Sequence, residues 1–127
     1  MRRWLCLWGP PGLVMGVIFV ASSLSDVSPA MGDLSDVGAH ALTYCGLSVT
    51  LVRALSGAQW RGVTHSKMLG AILLSTAYGL SDELHQLFVP GRVAEVRDLV
   101  ADAAGATAGV GFVWAWGIVL SARRRAR

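Results

Sequence analysis

Charge is what this chain has least of. Only 15% of its 127 residues are Asp, Glu, Lys or Arg, against 54% hydrophobic, whereas a soluble domain carries about 25% charged residues. That deficit argues against a soluble globular protein and for a membrane one. Cysteine is nearly absent too. Cys6 and Cys45 both lie in apolar stretches, which leaves no disulfide framework and no paired-thiol metal motif, and both read as small hydrophobes. Common catalytic signatures are also missing: there is no P-loop, dinucleotide fingerprint, HExxH, GxSxG or SxxK. Ser22, Ser23 and Ser81 therefore have no nucleophile context, although Ser81 shortly precedes His85. The net charge of +3 comes from basic residues at the chain ends and in one loop, without aromatic interleaving, so nucleic acid is not an expected partner. The motifs lead us to expect no cofactor and no metal. No repeat or linker divides the chain, and residues 1–127 are expected to form a single domain.

What is present is apolar length. Spanning a hydrocarbon core of about 30 Å takes about 20 helical residues, and four runs reach that, at about 4–24, 37–55, 68–88 and 99–122. The expected fold is all-α, a polytopic membrane protein built as a four-transmembrane-helix bundle. Pro10 and Pro11 are expected to make the first run irregular, with a well-formed helix beginning only there. The same stretch, MRRWLCLWGPPGLVMGVIFVASSLS, has the basic start and small-residue end of a cleavable signal peptide. The prolines inside its apolar part, and the three-span remainder it would leave, weigh against that reading.

Positive charge orients the runs. Arg2 and Arg3 precede the first, Arg53, Arg61 and Lys67 lie in or beside the second connection, and Arg123, Arg124, Arg125 and Arg127 form the tail, while SDVSPAMGDLSD holds three acids and no base. Cytoplasmic segments are enriched in Lys and Arg, so both termini are expected to be cytoplasmic, with VPGRVAEVRD external. Gly105 and Gly109 in GATAG form a GxxxG pair, expected to pack helices within the chain rather than to seam a dimer. No oligomeric state is read from it.

On this topology the unusual polar residues gather near the outer surface. Asp36, His40 and Tyr44 recur at i, i+4 and i+8, one face of the second helix. Asp82, Glu83, His85 and Gln86 end the third, with Asp82 and Gln86 sharing a face, and Asp98 and Asp102 begin the fourth. An ionised side chain in a bilayer costs about 2.5–3.5 kcal/mol on insertion scales, so these groups should face the bundle interior and find partners, with Arg92 and Arg97 the nearest cations. Interhelical hydrogen bonds average only about 0.6 kcal/mol in a measured membrane protein. Structural glue alone is then a costly use of so many ionisable groups, and a functional pocket is the stronger reading. Asp36, His40, Glu83 and His85 are ligand types, but no metal spacing joins them. Asp26 and Asp33 read as solvated loop residues, and His65 as surface.

The stretch YGLSDELHQLFVPGRVAEVRDLVADAAGATAG resembles the VanZ-like family of small bacterial membrane proteins, through Asp82, Glu83 and Gln86, then Pro90, Gly91 and Arg92, then Asp98 and Gly105. Ser22, Ser23, Asp36, His40 and Tyr44 are similar to that family's upstream segments. Two positions depart: Val37 stands where Lys is usual and Asp102 where Asn is usual, which makes the pocket more acidic. The resemblance implies a multi-pass protein of the bacterial cytoplasmic (inner) membrane, a cell-envelope role and a link to the glycopeptide teicoplanin, but no biochemical activity.

The function expected is binding of a membrane lipid headgroup or lipid-linked cell-wall precursor in an outward-facing pocket of Asp36, His40, Tyr44, Asp82, Glu83, Gln86, Arg92, Asp98 and Asp102, with altered glycopeptide sensitivity as the outcome. Arg92 would contact phosphate. The alternative is an intramembrane hydrolase or transferase, with Glu83 or Asp82 as general base and His40 or His85 as acid. A proton-coupled transporter is disfavoured, because the inner halves of the runs are apolar apart from Ser and Thr.

Overall fold

The computed structural model describes residues 1–25, 36–59 and 62–125, with side chains up to Arg123. These residues form four helices and no strand: α1 (Arg2–Ser22), α2 (Asp36–Leu55), α3 (His65–Gln86) and α4 (Val96–Arg125). The helices coincide with the four apolar runs, and no end is displaced by more than three residues. Asp26, Asp33, Arg61 and Arg127, used above in reading the loops and tail, lie outside the described residues.

One expectation needs correction. α1 does not begin at its prolines but runs from Arg2 straight through Pro10 and Pro11. Pro10 has no N–H to give to the carbonyl four residues back, that of Cys6. The deficit is met from another helix: Arg53 Nη1, near the end of α2, donates to Cys6 O at 2.9 Å. A second tie joins α1 to α3, where Tyr78 Oη donates to Met15 O at 2.7 Å. Arg53→Met is expected to cost about 1 kcal/mol, the net worth of one hydrogen bond, and to loosen α1 alone. Hydrogen exchange should then rise around Cys6 and stay unchanged in α4; equal exchange in both would count against the role given to Arg53.

The most extensive helix contact is between α2 and α4, and small residues set it. Gly105 lies against the Ala41 backbone carbonyl, and Gly109 against the Cys45 carbonyl and the Ser48 hydroxyl, so closely that a Cβ at either position would overlap them. The GxxxG pair is therefore spent inside the chain, which is how small residues bring helix backbones together. Below this contact Leu47, Val52, Ala71 and Val110 form the apolar core with Tyr44.

Polarity across the body is inverted relative to a water-soluble bundle. Asp82, Glu83, Gln86, Asp98 and Asp102 are buried, while Leu13, Val17, Leu42, Leu73, Leu84 and Phe112 are exposed. In water this exposes apolar surface on every helix at a hydrophobic cost; against lipid it is the low-energy arrangement. Two helices, α1 and the Val96–Arg123 part of α4, are long and apolar enough to cross a membrane.

The α3–α4 connection is built to aim one side chain. Val89 to Arg92 make a tight turn closed by Arg92 N–H to Val89 O at 3.1 Å. Pro90 takes its second position, and Gly91, at φ +82°, its third, where a positive φ is needed and glycine adopts it without strain. The chain reverses here and returns Arg92 toward α2.

Candidate functional site

A cavity of about 220 Å³ opens between α1, α2, the end of α3 and this turn. Its polar wall includes Asp36, His40, Tyr44, Asp82, Gln86 and Arg92, with Ser22 from α1, and its apolar wall includes Ile18, Ala21 and Leu24. The helical spacing of Asp36, His40 and Tyr44 explains why one helix supplies three of the polar groups; the His40 and Tyr44 rings lie parallel, with centroids 6.3 Å apart. Asp82 and Gln86 also share a face, and Gln86 Nε2 donates to Asp82 Oδ2 at 3.3 Å. The apolar wall from α1 has no counterpart in the sequence reading, which assembled the pocket from the other three helices.

Behind the cavity lies a second layer of acids. His40 Nδ1 and Asp102 Oδ1 are 2.8 Å apart. With Asp102 ionised the imidazole donates from Nδ1, because a carboxylate without a proton can only accept. Asp102 is fully buried, and the His40 side chain is only 10% exposed. Space for the Asp102 carboxylate comes from α3: its Oδ2 occupies the place a side chain on Gly79 would take. Glu83 ties the end of α3 to the start of α4 by accepting the Glu95 N–H on Oε2 at 2.9 Å. Asp98 is buried in the first turn of α4, where the helix dipole favours negative charge.

Several buried polar atoms are left without hydrogen-bond partners among the described residues. Those near the site are the acceptors Glu83 Oε1, Asp98 Oδ1 and Asp102 Oδ2 and the donors Tyr44 Oη and Arg92 Nε; the hydroxyls of Ser56 and Ser75 complete the set. Arg92 makes no ion pair among the described residues, whereas Arg97 pairs with Glu95 and stands 3.8 Å from Asp98. Neither arginine neutralises Glu83 or Asp102. Two groups of possible metal ligands share His40, one with Asp36 and Asp98, the other with Glu83 and Asp102. Sequence spacing could not have indicated either group whole, because the members of the inner one come from three helices and those of the outer one from two.

His85, a candidate acid by sequence, is held elsewhere. Its ring stacks on Phe19 with centroids 4.7 Å apart, and its Nε2 lies 3.0 Å from Ser23 Oγ. Ser23 Oγ also donates to Phe19 O at 2.6 Å, so the hydroxyl proton is already committed and Ser23 accepts from the ring. The pair braces α1 against α3 and is not arranged as a nucleophile and base. Ser81 donates to Tyr78 O at 2.7 Å and does not meet His85.

Apolar helices around a buried acidic centre, with a cavity open to one side, define a small all-α membrane protein with an internal polar site. The family model for VanZ/LLP1 matches residues 15–119, most of the chain, and the protein belongs to that family. Neither a curated protein nor a solved structure matches it.

Proposed function

We propose that this VanZ/LLP1 protein crosses the bacterial cytoplasmic membrane four times, with both termini in the cytoplasm, and binds an envelope lipid or lipid-linked cell-wall precursor in the α1–α2–α3 cavity. The observation that carries this reading is the pair of buried donors, Tyr44 Oη and Arg92 Nε, which lack partners among the described residues although their residues line the cavity. Leaving such groups unpaired costs about 1–3 kcal/mol each, and a ligand bearing acceptor oxygens, such as a phosphate headgroup, would recover it. Ile18, Ala21 and Leu24 on the facing wall suit an acyl or polyprenyl chain leaving the same headgroup. The exposed leucines of α2 and α3 support spans there too, since the polar residues that lower the apolar character of those helices face inward. Altered glycopeptide sensitivity would follow from engagement of a cell-wall precursor.

The test is mass spectrometry of lipids retained by the purified protein. Wild type should retain a phosphate-bearing lipid that Arg92→Ala loses by tenfold or more, and the same substitution should remove any effect of the protein on teicoplanin sensitivity. Identical lipid profiles would sink the reading. A catalytic rival draws on the His40–Asp102 pair, an imidazole oriented by a buried carboxylate as general bases often are. Turnover of polyprenyl phosphate or lipid-linked substrate, abolished by His40→Gln, would favour it instead.

A further inference from the structure

We infer that His40, Glu83 and Asp102 bind one divalent first-row transition-metal ion, at a site independent of the lipid reading. The three residues come from α2, α3 and α4, yet each brings a ligand atom within 4.8 Å of the other two, and all three positions are buried. Bonds of about 2.0–2.2 Å to nitrogen and oxygen require ligand atoms within ~4.4 Å of one another, so side-chain movement of a few tenths of an ångström completes the set, with the proton between His40 Nδ1 and Asp102 released to solvent as the ion takes its place.

Carboxylates gathered together do not by themselves make a site. Here the second observation is unpaired oxygen. Glu83 and Asp102 are 5% and 0% exposed, and each spends one carboxylate oxygen on the protein, Glu83 on the Glu95 N–H and Asp102 on His40. The other oxygen of each is buried without a partner. A buried carboxylate oxygen with nothing to accept is costly, and two side by side also repel.

Charge points the same way. Arg97 is taken by Glu95, Arg92 forms no ion pair among the described residues, and His40 is the one titratable base in the group. Two carboxylates and a dication sum to zero, which a single imidazolium cannot achieve. The donor set indicates the ion class: an imidazole nitrogen with carboxylate oxygens suits zinc or manganese, whereas magnesium and calcium prefer oxygen alone. The outer group of Asp36, His40 and Asp98 is the weaker choice, because Asp36 is exposed there. An ion in the inner group would lie behind the cavity wall that His40 lines and would offset the carboxylates that otherwise repel an anionic headgroup.

The experiment uses the full chain, purified without a polyhistidine tag, stripped with chelator, equilibrated with excess Zn²⁺ or Mn²⁺ and gel-filtered before elemental analysis. Wild type and Asp36→Asn should retain about one ion per chain, while Glu83→Gln and Asp102→Asn retain at least tenfold less. Gln at position 83 keeps a carbonyl oxygen for the Glu95 N–H, so loss of metal there does not come from loss of that tie. Melting temperature supplies the second readout: metal should raise it in wild type, reversibly with chelator, and leave Glu83→Gln unmoved. Wild type without metal after loading overturns the site, as does retention by Glu83→Gln and Asp102→Asn, or loss in Asp36→Asn alone.

Discussion

Gly105→Val is expected to be the most disruptive single substitution in the chain, costing about 3 kcal/mol, the upper end of overpacking penalties. The obstruction is backbone, not side chain. A Cβ at this position would overlap the Ala41 carbonyl group, which no rotamer change can move, so α4 must slide or tilt away from α2 along their main contact. Gly111, in the same helix, has nothing within 4 Å of a notional Cβ, and Gly111→Ala is expected to be neutral or slightly stabilising because alanine is the better helix former. Thermal melting in detergent of the two variants checks both halves of the argument. Equal stability would mean that α2 and α4 do not meet at Gly105 as described. A dimer seam through GxxxG makes a different forecast, in which Gly105→Val changes oligomeric state and leaves monomer stability alone.

The second large effect concerns the buried pair. Removing one partner of a buried charged pair strands the other and costs about 3–5 kcal/mol in soluble proteins, whereas hydrogen bonds between membrane helices average about 0.6 kcal/mol, with a maximum near 1.7. Asp102→Ala takes the carboxylate from His40 and also empties the space beside Gly79, so about 2–3 kcal/mol is expected for the single change. His40→Ala removes less packing but leaves Asp102 fully buried and unpaired, and should cost a similar amount. Adding His40→Ala to Asp102→Ala should cost only about a further 1 kcal/mol, giving a coupling of about 1.5 kcal/mol in a double-mutant cycle. That lies near the top of the membrane range because both partners are shielded from solvent. Additive losses would mean that the 2.8 Å contact contributes no more than an ordinary interhelical bond.

The parts of this molecule that could be read in sequence are those governed by local periodicity. Four apolar runs of membrane length became four helices, since length and apolar content are both local properties of the sequence. The face of Asp36, His40 and Tyr44, and that of Asp82 and Gln86, followed from helical spacing alone. What periodicity does not encode is which helices are neighbours. The partner of His40 is 62 residues away, and nothing in the stretch around Asp102 distinguishes it from Asp98 until α2 and α4 are packed against each other by Gly105 and Gly109. His85 was grouped with the acids because it follows them in sequence, but its place on the helix turns it toward α1 and Phe19. Arg92 and Arg97 look equivalent as written. One is turned toward the cavity by Pro90 and Gly91, and the other is spent on Glu95. Averaged hydropathy marks α1 and α4 more clearly than α2 and α3 for a related reason. An average cannot tell a polar residue inside the bundle from one facing lipid.

The carbonyl of Cys6 bears on how the protein is made. A helix containing Pro10 leaves that oxygen without its usual donor, and the donor it finds lies 47 residues downstream on Arg53. During synthesis α1 therefore emerges as an unfinished element and is completed only after α2 has followed it. On the four-span reading proposed above, the first two helices would enter the membrane as a joint unit whose second arm finishes the first, and the Arg53→Met variant would show the dependence as slowed or incomplete integration of α1.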